Sequence, residues 1–165
     1  MGRVQLITNE LLEDLRTKAK LSPRLRVNHN FHQRPEDTVH RFLNVLIKGT
    51  YVRPHRHVTP PKSETLILLE GELDLLIFDD AGTIGNRSRL SGTASEGQFR
   101  GADIAPGIWH TVLVLTDHAI CFEIKPGPWI DGSNDKDFAP WAPEEGNWQV
   151  GSYLASLCGV TSCIL

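Results

Sequence analysis

Pro54-His55-Arg56-His57, followed by Glu64 and answered by Pro106-Gly107-Ile108-Trp109-His110, is the part of this chain with the clearest chemical capacity. Imidazole nitrogen and carboxylate oxygen are ligands for divalent transition metals, and the donor types suit iron, manganese, zinc or nickel. Alternate side chains of a strand share a face, so His55 and His57 are expected to point the same way. Val58-Thr59-Pro60-Pro61-Lys62-Ser63 is a loop that can return the chain and bring Glu64 beside them. Pro106-Gly107 makes the turn that starts the strand bearing His110. Any one of these histidines alone would be read as a surface or satisfied core residue; four donors flanked by turn residues point to a metal centre. Glu64 is either a ligand or a base beside the metal.

The elements that must position these donors follow from the rest of the pattern. Thr8 can cap a helix over residues 9–20, with acidic residues early, basic residues late and Leu11, Leu12, Leu15 and Ala19 as its apolar stripe. From Val39 onward, short apolar runs alternate with glycine and proline. Strands are expected over 42–47, 51–57, 65–69, 73–78, 99–104, 111–115 and 119–125, with a tight turn at Glu70-Gly71 and another at residues 79–82. Many short strands between turns imply a sandwich or barrel. After Lys125, Pro126, Pro128, Pro140 and Pro143 interleave with Trp129, Phe138, Trp141 and Trp148, a composition that suits a strap covering a core or an interface. Residues 153–165 are read as a docked or disordered tail. The organisation expected is one domain in three parts: an N-terminal helix and entry segment over 1–34, a barrel core over 35–127, and a Pro/Trp-rich strap and tail over 128–165.

At 165 residues the chain can bury a core without staples, and a formal charge of -3 gives no attraction to nucleic acid or an anionic membrane. No segment has the length of a membrane span, and the first residues lack a secretory signal's apolar core. Cys121, Cys158 and Cys163 are odd in number and show no paired spacing, as expected for reduced thiols in a cytoplasmic protein. Cys163 is third from the end, so it does not make a prenylation box.

Gly49-x5-His55-x-His57-x6-Glu64-x6-Gly71 resembles the first cupin motif, with a longer gap before the glutamate than usual. Gly101-x4-Pro106-Gly107-x2-His110 resembles the second, one residue short between proline and glycine. The chain is also similar to the WbuC-type cupin-fold metalloproteins, often encoded near bacterial surface-polysaccharide genes. That similarity is carried by Ser22-Pro23-Arg24, Asn28-His29-Asn30-Phe31-His32, Phe78-Asp79-Asp80-Ala81-Gly82 and the run from Asp137 to Gly146. The resemblance implies an all-β cupin jelly-roll barrel with a short N-terminal α-helix and an irregular C-terminal strap. It further implies a divalent metal on His55, His57, Glu64 and His110, and a homodimer; it supplies no reaction.

Further pocket residues come from alternation. If His55 and His57 face inward, Tyr51 and Arg53 do too, and the arginine fork suits a carboxylate or phosphate. Asn28, Asn30 and His32 form a second alternating set, placed where an edge strand would cross the mouth and order a ligand's hydroxyls. His29, His40 and His118 are assigned to the surface, Lys62 to solvent and Trp109 to packing. Two functions fit. One is a metal-dependent enzyme, an isomerase or oxygenase, acting on a small polar or sugar-derived molecule, with Tyr51, His32 or a metal-bound water as acid or base. The other is a non-catalytic module in which the metal anchors a small ligand.

Overall fold

The computed structural model describes residues 4–129 and 135–159. The element order is α1 (Asn9–Leu21), β1 (Arg26–Asn30), β2 (Val39–Ile47), β3 (His55–Arg56), β4 (Glu64–Phe78), β5 (Ile84–Ser91), β6 (Gly101–Ile104), β7 (Trp109–Pro126), β8 (Asp137–Phe138) and α2 (Val150–Cys158). Helix α1 begins where the sequence places it, with Thr8 Oγ1 accepting from the Leu11 N–H at 3.2 Å. Its stripe of Leu12, Leu15 and Ala19 packs on Leu43, Val45 and Ile120 of the sheet.

The strands form one eight-stranded sheet whose spine is the antiparallel pair β4 and β7. The first half of β7 lies between β3 and the second half of β4. Its second half lies between β2 and the first half of β4. Among the described residues, β1 pairs only with β2, β8 only with β3, and β5 and β6 only with β4 as named strands, so the ladder has edges and does not close. This corrects the expected all-β cupin jelly-roll barrel. Among the described residues the fold is mixed α/β, an open sheet carrying two helices. Closure requires every strand to have two neighbours around a ring, and alternation within each strand carries no record of its neighbours.

A second correction concerns Glu70-Gly71, read from sequence as a tight turn between two strands. Residues 64–78 are a single strand that shifts register against β7 on either side of Gly71. Gly71 has φ 76°, and a Cβ there would collide with the His118 carbonyl oxygen. Glycine therefore permits a bulge that bends the strand without ending it. In the same way residues 111–115 and 119–125 belong to the one strand β7. The strap also differs from expectation, because residues 150–158 are helical. Leu157 packs with Leu76, Phe78, Trp109, Ala139 and Ala142, so the strap covers the outer face of the β4–β7 spine.

Candidate metal centre

His55, His57, Glu64 and His110 are brought together by three elements and the residue that follows β3. His55 pairs directly with His110 across β3 and β7, which puts their ring centroids 4.5 Å apart. The i, i+2 spacing buries His55 and His57 while turning the intervening Arg56 outward, its guanidinium 4.2 Å above the Trp109 ring. The carboxylate arrives at the first residue of β4, immediately after the proline-bearing loop. All four side chains are buried, and one donor atom from each lies within 4.8 Å of the others.

The hydrogen bonds around the rings decide which nitrogens are available. His55 Nδ1 lies 3.0 Å from the Arg53 carbonyl oxygen and His110 Nδ1 2.8 Å from that of Ile108, each two residues upstream. His57 Nδ1 bonds to the main-chain carbonyl of Asp135. A carbonyl only accepts, so each Nδ1 carries the proton and each Nε2 turns its lone pair towards Glu64. His55 Nε2 is buried with no partner among the described residues. His57 Nε2 and Glu64 Oε2 are 2.9 Å apart, and His110 Nε2 is 3.8 Å from the same oxygen. Two acceptors at 2.9 Å require a positive centre between them, either an extra proton or a cation. Orienting imidazole ligands through the second ring nitrogen is the usual arrangement around bound metals. The donor set fits a divalent metal.

Burial pushes the His55 imidazole well below its ordinary pKa, with Lys136 and His110 adding to the effect. Burial alone would raise the Glu64 carboxyl, but the adjacent His110 and His57 rings, with Lys125 and Lys136 adding to their effect, override it and hold the group well below the usual carboxylate range. Both shifts favour the forms that donate electron pairs. Glu123 behaves oppositely: burial, and then the nearby Glu64 charge, push it up to about 8.

Glu64 is also where the cluster meets a cleft of about 880 Å³. Asn28, Asn30 and His32 line it from the edge strand β1 and the residues after it, and Arg53 lines it from the segment before β3. The Arg53 guanidinium donates to the Ala139 carbonyl at 3.0 Å and lies 5.3 Å from the Phe138 ring centroid. Tyr51 is elsewhere: its hydroxyl donates to the Pro143 carbonyl at 2.7 Å, and it does not line the cleft. Residues 51–54 are not a strand, so the alternation assumed for them does not operate.

Other cleft residues were not anticipated from sequence. Glu123 and Lys125 follow an i, i+2 spacing among apolar neighbours on β7, a legible signal; Asp135 and Lys136 carry none. Two sequence assignments need correction. Lys62 is buried and paired with Asp135, because that carboxylate and the Pro128 carbonyl, 2.7 Å away, replace solvent around its ammonium. His40 is buried as well, stacked on His32 with centroids 4.2 Å apart.

The family model for a domain of unknown function, DUF6016, matches residues 7–90. The chain belongs to the DUF6016 family. The matched region contains His55, His57 and Glu64, while His110 lies beyond it. No curated protein matches the chain. Among solved structures, it is similar to the capsular polysaccharide assembling protein CapF from Staphylococcus aureus (19% identity, 71% of this chain and 32% of that one, TM-score 0.57). It is similar to Cellulomonas parahominis L-ribose isomerase, determined with L-psicose (14% identity, 71% and 70% covered, TM-score 0.54). It is also similar to KdgF from Halomonas sp. (14% identity, 67% and 84% covered, TM-score 0.50). The chain thus spans about a third of the length of CapF. At these identities the likeness is one of fold alone, and the His55/His57/Glu64/His110 cluster is suited to metal binding.

Proposed function

We propose that the chain is a divalent-metal cupin of the WbuC type, a metal-dependent enzyme acting on a small polar or sugar-derived molecule in bacterial surface-polysaccharide metabolism. The observation that carries the reading is the set of three Nδ1-anchored imidazoles whose Nε2 atoms converge on the ionised Glu64. His55, His57, Glu64 and His110 hold the metal. A bound metal supplies Lewis acidity at coordination positions that four protein ligands leave open. The cleft at Glu64 gives a small molecule access to that side, where Asn28 and Asn30 offer amides to hydroxyl groups and Arg53 offers a cation. CapF, described as a capsular polysaccharide assembling protein, and the L-ribose isomerase support a carbohydrate setting.

One observation favours the alternative of a non-catalytic, metal-anchored binding module. Two side chains suited to proton transfer are engaged otherwise: the Tyr51 hydroxyl on Pro143, and His32 Nδ1 on the Arg41 N–H at 3.2 Å. A screen of nucleotide sugars and small keto acids against protein loaded with iron, manganese, zinc or nickel separates the two. Product formation abolished by a chelator is the expected result. Saturable binding without product, in air and under anaerobic conditions with every metal, would establish the binding module instead.

A further inference from the structure

Among the described residues, five cationic side chains line the cleft beside the candidate metal cluster: Arg24, Arg26, Arg53, Lys125 and Lys136. Their partners differ. Glu145 takes both Arg24, at 2.9 Å, and Arg26. Asp135 takes Lys125 at 3.4 Å, while Lys62 clamps the same carboxylate. Arg53 has only a main-chain carbonyl and the exposed Glu144 at 3.6 Å, and its Nε is buried without a partner among the described residues. Lys136 makes no ion pair or hydrogen bond with a described residue. Its ammonium nevertheless lies within electrostatic range of Glu64 and Glu123.

Among the described residues, the acids lining the cleft are Glu64, Glu123, Asp135 and Glu145, so the lining cations outnumber the lining carboxyls, with the exposed Glu144 meeting Arg53 from outside. A divalent ion on Glu64 would consume that charge and widen the imbalance. Lys136, with no ion-pair partner among the described residues, and Arg53, met only by the exposed Glu144, form an oxyanion site in this partly enclosed space. The polar amides of Asn28, Asn30 and Asn44 in the same cleft suit hydroxyl groups beside the anion.

We propose that the cleft takes an acidic polyhydroxyl compound, whose carboxylate or phosphate is received by Lys136 and Arg53 while its hydroxyl or carbonyl oxygens face the metal. This deepens the metal-anchored reading above and rests on it. Neutral sugars lack the group that Lys136 would receive, so the inference predicts discrimination by charge.

The test is calorimetric titration of metal-loaded full-length protein with D-galacturonate, D-galactose 1-phosphate and neutral D-galactose, with metal content measured on the same samples. At least one acidic probe is expected to bind tenfold or more tightly than galactose, and comparison of the two acids tells carboxylate from phosphate. Lys136→Met and Arg53→Gln, tested separately so that one misfolded variant does not void the experiment, should each reduce that preference at unchanged metal content. Equal affinity for acidic and neutral probes, an unaltered preference in both variants, or no binding of any probe to metal-replete protein overturns the proposal. Wild-type protein that takes up no metal overturns the metal reading instead, and its preference between acidic and neutral probes still decides the anion site.

Discussion

His57 donates its Nδ1 proton to the main-chain carbonyl of Asp135, a residue 78 positions further along the chain. The Asp135 carboxylate is in turn held by the buried ammonium of Lys62, in the loop that separates His57 from Glu64. One ion pair thus fixes the orientation of an imidazole of the candidate metal cluster and ties the strap to the loop between two cluster residues.

Replacing Lys62 with Met should therefore weaken metal binding although all four donors remain. A loss of about 10- to 100-fold in affinity is expected, the range for outer-shell partners of metal ligands. Stability should fall on the order of 3 kcal/mol, because Asp135 keeps its charge with only Lys125 to meet it. Chelator competition and urea unfolding measure the two effects. A wild-type affinity in Lys62→Met would mean that the Asp135 carbonyl holds its place without the ion pair.

Leu157 predicts a separable effect. It is buried against Leu76, Phe78 and Trp109, far in sequence from every cluster residue. Leu157→Ala should cost roughly 2–5 kcal/mol, as large-to-small core changes do, with metal content unchanged. Thermal or urea unfolding followed by elemental analysis would check it. Loss of metal would indicate that α2 supports the cluster as well as the core.

Gly71→Ala tests the bulge in β4. The substitution combines an unfavourable positive φ with a collision against the His118 carbonyl. A loss of more than about 1 kcal/mol is expected. A neutral substitution, measured by urea midpoint, would refute the register shift at this position.

His40 gives a pH dependence whose sign is fixed. Burial lowers its pKa, with the Pro35 carbonyl opposing and His32, Lys125 and Lys62 adding smaller effects. The unfolded chain accepts a proton near the ordinary value of about 6.5, whereas the folded protein resists it. Stability is therefore full above that value and declines as pH falls through it. Urea midpoints of metal-free protein at pH 7.5 and 5.5 should show this drop, with a smaller drop in His40→Gln. An identical drop in the variant would assign the effect to other groups.

The legibility of the site and of the fold followed different physics. His55 and His57 could be read because alternation is local: in extended backbone, residues two apart face the same way, although β3 itself ends at Arg56. The return of Glu64 and the approach of His110 were signalled by proline and glycine at the turns. Sheet closure was not legible, since it depends on which strands pair, a property of distant segments. Gly71 illustrates a further ambiguity, because a glycine that permits positive φ serves a turn and a bulge equally well, and only the continuous pairing of β4 with β7 distinguishes them. Lys62 was misassigned for a related reason. Its burial depends on Asp135, 73 residues away, and no nearby residue foreshadows the pair. Helix α2 escaped notice because its apolar side, with Leu157, finds its partners on β4 and β7.

The most direct test is metal analysis of wild type, His55→Ala and His110→Ala, each purified without chelator and then offered iron, manganese, zinc and nickel in turn. Wild type should hold about one divalent ion per chain, as a single cluster of four donors would, and both variants should lose most of it while remaining folded. Wild type that takes up none of these metals, or variants that retain its full content, would contradict the convergence of His55, His57, Glu64 and His110 on one cation.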